Sequence, residues 1–463
     1  MYITSHTENV STSQPPSALQ GRTFLDLLES LLTTQSLAAL CERFAPGPQG
    51  AHCQRISRRQ LVQGLIFHFI TGSGSLAQHL MRLFGISISE SALSQRRARL
   101  PWELLQEILG AALRPLADGV RHPWAFYGGL RLVAWDGTSF SVGNTPGLLA
   151  RLSKAKCRRG LAAFAKLPIN VLLELGLHNP LALAVGRAQE DEGSLARRLL
   201  AALPAGVLLL ADRLYGCGAW AQVLAARCAE VGSHFLVRAR GHLQVREIER
   251  LADGSRLVEV LVRAPGKPRR EWATLRLREV LGSVCKAGQK PVTVRLWTSL
   301  LDVEAHPALE LLALYARRWE QELYYHQIKH QLRGGERLQS YTLESAAQEI
   351  AALVLGTAVL ARQRAELAEA SALPAVRLSF AKVLHAVRSM WDFYAAAQGV
   401  ITNDQAHAVA LRHLELILQF AKLPPRRMRT CARTLRQPIQ KFPRTLHPVS
   451  HEGALELQIL SPF

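Results

Sequence analysis

Leu132-Val133-Ala134-Trp135-Asp136 and Val207-Leu208-Leu209-Leu210-Ala211-Asp212 are two apolar runs, and each finishes on a carboxylate. Short apolar runs bounded by turn residues read as buried strands. After Asp136 the Gly137-Thr138 pair reads as the turn of a hairpin leading into a second strand. Strand-like material follows at 169–177 and 181–185, then a helix at about 193–203, the strand that ends at Asp212, and a helix at about 215–231. Strands that alternate with helices predict an α/β fold. Sheets of that class place their chemistry at the carboxyl ends of strands, where Asp136 and Asp212 stand in this reading. Two such acids side by side repel unless a cation lies between them, so the pair suits a Mg²⁺ site with oxygen ligands. Read one at a time, Asp-Gly and Asp-Arg are also ordinary turn starts.

Outward from this centre the chain changes texture. Residues 1–20, rich in Ser, Thr, Gln and Pro, read as a disordered leader. A helical, basic module at 21–125 follows, with helices at about 23–44, 58–71 and 75–84. Its segment Ser89 to Leu100 would place Gln95, Arg96 and Arg99 in a DNA major groove if the module is a helix-turn-helix. Downstream of Asp212, residues 234–305 are dominated by β-rich runs inside a core spanning 126–345. Helix returns at 315–332 and 346–423, and residues 424–463 form a basic tail.

Lys and Arg number 56 against 36 Asp and Glu, a formal charge of +20, which calls for a polyanionic partner and above all nucleic acid. Two tracts concentrate the charge. Lys154, Lys156, Arg158 and Arg159 follow the Asp136 strand, and Lys422 to Arg444, which includes Arg426, Arg427 and Arg429, holds eight basic residues and no acid. Both read as phosphate-binding. The seven cysteines are scattered and never in a CxxC pair, as expected of reduced thiols in the cytoplasm. The apolar stretch 350–361 falls short of the ~20 residues a membrane span needs, so no membrane partner is expected.

The third acid comes from Tyr315-Ala-Arg-Arg318-Trp-Glu-Gln-Glu322-Leu-Tyr-Tyr-His-Gln-Ile-Lys329. On a single helix these spacings put Tyr315, Arg318, Glu322 and Lys329 on one face, a carboxylate among groups that bind phosphate oxygens. A solvated helix with ordinary ion pairs is the plainer account of the same charges.

The row is similar to the Tyr-x2-Arg-x3-Glu-x6-Lys signature of the IS4 family of insertion-sequence transposases. Trp135-Asp136-Gly137-Thr138 and Ala211-Asp212-Arg213-Leu214-Tyr215-Gly216 resemble the two aspartate motifs of that family, in the same order. Over about 58–445 the resemblance implies an RNase H-like catalytic core with a β-rich insertion. It implies a DDE transposase in which Asp136, Asp212 and Glu322 hold two Mg²⁺ ions, or Mn²⁺ in their place. Its partners would be double-stranded DNA, as terminal inverted repeats and as target, bound by a homodimer on two ends in the bacterial nucleoid. It further implies an aromatic residue of the insertion that holds a flipped base, with Trp272 and Trp297 as candidates. An RNase H-superfamily nuclease without joining activity, or a non-catalytic DNA-binding regulator derived from a transposase, would share this composition.

Overall fold

The computed structural model describes residues 24–44, 56–157, 160–188, 190–262, 272–286, 291–397, 400–424 and 455–460. The 1–20 leader lies outside them. The chain divides into two compact units, one of Met1–Tyr127, Arg131–Leu203 and Trp319–Leu423, the other of Gly128–Leu130, Pro204–Arg318 and Pro424–Phe463.

The first unit opens on helices. The single helix expected at 23–44 is two, Phe24–Leu31 and Thr34–Arg43, bent by 72°. The Thr33 side chain accepts from Ser36 N, so it caps the second helix rather than continuing the first. Arg58–Thr71 and Leu76–Phe84 each start in a capping box, Ser57 with Gln60 and Ser75 with Gln78, and end at a left-handed glycine, Gly72 and Gly85. Glu90–Ala98 and Trp102–Ala112 complete the module.

The strand carrying Asp136 corrects the hairpin expectation. It runs unbroken from Leu130 to Val142, and Asp136 lies in mid-strand rather than at a strand end. Gly160–Glu174 pairs with it antiparallel through the supposed turn, Asp136 opposite Val171, Gly137 opposite Asn170 and Thr138 opposite Ile169. A continuous ladder on this side offers the backbone more hydrogen bonds than a two-residue turn, which overrides the local preference of Asp-Gly. Asn179–Val185 adds a third antiparallel strand, and Lys154–Cys157 folds back on Gly160–Glu174.

Leu343–Ala370 is the core helix of this unit. It packs on Arg58–Thr71, Trp102–Ala112 and Asn179–Val185, and Gly356 lets Ile70 approach to within 3.0 Å of where a Cβ would stand. By length and apolarity it could cross a membrane, but 83% of its most apolar window is buried inside the protein, the signature of a core helix. Helices Phe380–Ala397 and Asn403–Ala421 follow it where continuous helix was read.

In the second unit Val207–Ala211 lies parallel to His234–Arg238, joined by helix Gly218–Glu230. The sheet continues antiparallel through Val292–Thr298, Ala273–Lys286, Arg256–Val262 and Val245–Arg250. Two buried charges organise these strands. The Glu279 carboxylate accepts from Arg256, Arg295 and the Trp297 indole, and Arg278 donates to Asp253, Ser255 and three backbone carbonyls. Leu455–Ile459, which the sequence placed in a tail, adds a strand beside Ala273–Lys286. Three antiparallel strands in one unit, and a parallel pair joined by a helix in the other, are the strand set of an RNase H-like α/β core. Helical regions precede and follow it.

Candidate active site

Asp136 and Glu322 belong to the first unit and Asp212 to the second. All three carboxylates are half-buried. Asp212 directly follows its strand, where its Oδ1 accepts from Leu214 N at 2.6 Å and fixes a tight turn. Gly216 ends that turn because a Cβ there would stand 1.9 Å from the Arg238 carbonyl. Asp136 Oδ1 accepts from Gly137 N at 2.9 Å. Gly137 has its own reason to lack a side chain, since a Cβ there would meet Glu192 at 2.5 Å. Glu192 thus lies against the residue next to Asp136. No periodicity marked it; only the fold brings the start of helix Glu192–Leu199 back onto this strand.

The signature segment is not one regular helix. Ala308–Tyr315 is α-helical, Ala316–Trp319 tightens to a 3-10 turn, Glu320–His326 is α-helical and Gln327–Leu332 widens to a π-helix. The single-face reading assumed a constant 3.6 residues per turn. A π-turn re-aims what it carries and is frequent at functional sites. Here it carries Lys329, whose Nζ donates to Thr138 Oγ1 at 2.8 Å and lies 5.4 Å from the centre of the Phe140 ring. Burial pulls the Lys329 ammonium below its usual pKa.

The residues flanking Glu322 grip the strands. Val171, the cross-strand partner of Asp136, donates its N–H to the Tyr325 hydroxyl at 3.2 Å, and that hydroxyl donates to the Asp136 carbonyl. Gln321 Nε2 donates to the Val171 carbonyl at 3.1 Å. Five residues before Tyr325, Glu320 accepts from Gly176 N at 2.6 Å and lies 3.5 Å from His178 Nε2, tying the same helix to the turn after the strand. Burial holds the Tyr325 phenol well above its ordinary pKa, with the Asp136 charge adding to the effect, so it stays a neutral donor. In the second unit Tyr315 donates to the carbonyl of Ala211, the residue before Asp212, at 3.2 Å. Burial pushes its hydroxyl up to about 12, and Arg318 hydrogen-bonds to it.

Residues 127–358 match the transposase DDE domain. The chain belongs to the DDE transposase family. It is 27% identical over 364 residues to the transposase InsG for insertion sequence element IS4 of Escherichia coli strain K12, covering 77% of this chain and 78% of that protein. A cryo-EM structure of the piggyBac transposase synaptic complex with hairpin DNA is also similar, at a TM-score of 0.42 and 9% identity over 92% of this chain and 91% of that one.

The protein is therefore a DNA transposase, and its family works with divalent metal ions. Carboxylates are the donor set a hard divalent cation takes. Among the described residues no three His, Cys, Asp or Glu side chains form a ready-made metal cluster. Of the other residues read from the sequence, Lys154 and Lys156 lie on strand Lys154–Cys157, the second of them exposed. Arg158, Arg159, Arg426, Arg427 and Arg429 lie outside the described residues. Trp272 is half-buried, whereas Trp297 is fully buried with its Nε1–H given to Glu279 at 2.8 Å. In the helical module Arg96 donates to the Ile56 carbonyl at 3.3 Å, and Arg97 turns inward to Gln348 and the Ser345 carbonyl.

Proposed function

We propose that this transposase binds the terminal inverted repeats of an insertion sequence, cuts the DNA there and joins the freed ends to a target, as a homodimer holding two ends in the bacterial cytoplasm. Asp136, Asp212 and Glu322 would hold two Mg²⁺ ions, with Mn²⁺ able to substitute. Bound there, the ions would activate the attacking water or 3′-hydroxyl and stabilise the leaving oxygen. The observation that carries the reading is the Tyr315, Arg318, Glu322, Lys329 row together with its contacts: Lys329 and Tyr325 to the Asp136 strand, Tyr315 to the residue before Asp212.

The protein's own residues have separable tasks. Tyr325 and Gln321 orient the helix that presents Glu322. Tyr315 holds the end of the Asp212 strand and positions Arg318. Lys329, kept near Thr138, is placed to meet a DNA phosphate. Lys154, Lys156, Arg158, Arg159 and the Arg426, Arg427, Arg429 tract would track the backbone without reading sequence. Trp272 is the remaining base-stacking candidate in the insertion.

The test is Mg²⁺-dependent cleavage of a labelled duplex carrying the inverted repeats that flank the reading frame, with Glu322→Gln and Asp136→Asn alongside. Loss of cleavage with retained end binding supports the assignment. Cleavage that survives both substitutions places the chemistry elsewhere, and end binding without cleavage by the wild type would make the chain a regulator.

A further inference from the structure

Beyond the strand that carries Asp136, the first unit builds a second feature that the DDE chemistry does not use. Residues 336–338 join the far end of that strand: Ser141 N donates to the Glu336 carbonyl at 2.9 Å, and Leu338 N donates to the Ser141 carbonyl at 2.8 Å. The chain then turns through Gln339 and Ser340 to Tyr341, a residue that is 69% exposed. A hollow of about 280 Å³ opens here, lined by Gly143, Arg337, Leu338, Gln339, Ser340 and Tyr341.

An exposed tyrosine on a loose loop would mean little, but this loop is held firmly. The buried Glu349 carboxylate accepts from Gln339 N at 3.1 Å, from Ser340 N at 3.2 Å and from Ser340 Oγ at 2.7 Å, and Arg333 Nε donates to it at 2.7 Å. Ser340 Oγ also bonds the Ser345 carbonyl at 2.9 Å, and Thr145 Oγ1 donates to the Tyr341 carbonyl at 2.9 Å. The next residue, Thr342, caps the 28-residue helix Leu343–Ala370. A buried carboxylate spent on two loop amides and a loop hydroxyl fixes in advance the main chain from which the Tyr341 ring projects, which lowers the ordering cost of a contact made there.

The surroundings are mainly cationic, with one exposed carboxylate, Glu336, 3.9 Å from the Lys166 ammonium. Arg337 is exposed, its guanidinium 4.6 Å from the centre of the Phe164 ring, and Lys166 donates to Ser141 Oγ at 2.9 Å. Lys154 and Lys156 stand on the strand that pairs with 161–165. An exposed aromatic face on a fixed loop, beside a small hollow and several cations, is how proteins hold an unpaired nucleotide, the base stacked on the ring and the phosphate near the cations.

We propose that Tyr341 and the adjoining hollow form a stacking seat for one unpaired nucleotide of the DNA this transposase handles, with Arg337 on its phosphate. The seat is separate from any base held by Trp272, and it rests on the reading that this chain binds element-end DNA.

The test uses two end duplexes, one fully paired and one with a short unpaired overhang carrying 2-aminopurine, titrated with the full-length protein in the presence of EDTA so that nothing is cut. Tyr341→Leu should bind the overhang probe about tenfold more weakly than wild type and lose the fluorescence quenching, while binding the paired probe as before. Tyr341→Trp should restore both, because any large aromatic face stacks. Unchanged overhang binding by Tyr341→Leu, or an equal loss on both probes, would overturn the proposal. Failure of the wild type to bind either probe would overturn the DNA-end reading itself, and the seat with it.

Discussion

Replacing Tyr325 with phenylalanine removes a single oxygen atom and keeps the ring that fills the core. That oxygen takes the Val171 N–H, which is buried, and gives its own hydrogen to the Asp136 carbonyl, which is partly buried. Phenylalanine leaves both without this partner, and one buried orphan group costs on the order of 1–3 kcal/mol. Gln321 still reaches Val171 from the same helix, so the helix should loosen rather than leave, putting the loss near the lower half of that range. Urea unfolding should therefore show a lower midpoint with an unchanged slope.

The effect on activity should be larger than stability alone would give, because Tyr325 lies three residues from Glu322 on the helix that presents it. A displacement of about 1 Å at a reacting group can cost about a hundredfold in rate. Tyr325→Phe should cut end DNA ten to a hundred times more slowly under single-turnover conditions, with end binding within about twofold of wild type. Because burial holds the phenol neutral far above the working range, this loss should not vary between pH 7 and 9. A variant that is destabilised yet cleaves at the wild-type rate would refute the claim that this hydroxyl sets the position of Glu322.

Gly137→Ala should impair cleavage unless Glu192 is shortened, since the added Cβ falls 2.5 Å from that side chain; activity regained in Gly137→Ala/Glu192→Ala would confirm the clash. His68 and His79 touch through their Nδ1 atoms at 2.9 Å, and burial, with the neighbouring His79, depresses His68 to about 4. The unfolded chain takes up a proton near pH 6.5 while folded His68 does not, so stability should be complete above 6.5 and fall as pH drops from there toward 4, a slope that thermal melts of His68→Gln should show flattened. Glu279→Gln leaves Arg256 and Arg295 facing a neutral amide in a buried site and should cost about 3–5 kcal/mol by chemical denaturation.

The sequence carried a good part of this architecture. The apolar run into Asp212, the alternation after it and the β-rich stretch beyond are local patterns, and the strand at 207–211 follows that run while those at 234–238 and 292–298 fall inside the β-rich stretch. Features that depend on distant partners were not legible. Asp136-Gly137 looks like a turn until Val171 and Asn170 are seen opposite it. Glu192 looks like a surface acid until the helix that starts there returns to Gly137. Arg278 looks solvated until its carbonyl cage is assembled from residues 300, 302 and 306. The 3-10 and π segments around Glu322 were invisible for a related reason: docking against a fixed strand, not helix propensity, chooses the local pitch.

The core position of helix Leu343–Ala370 also bears on how the protein is made. The helices at 58–71 and 102–112 bury their apolar faces against a segment that the ribosome has not yet produced when they emerge. At 5–20 residues per second the wait from residue 112 to 343 lasts roughly ten to fifty seconds, during which those faces need a chaperone or a temporary partner. Chains that stop short of this helix would leave them uncovered for good. A fragment ending before residue 343 should therefore aggregate or be degraded rather than survive as a separate DNA-binding product.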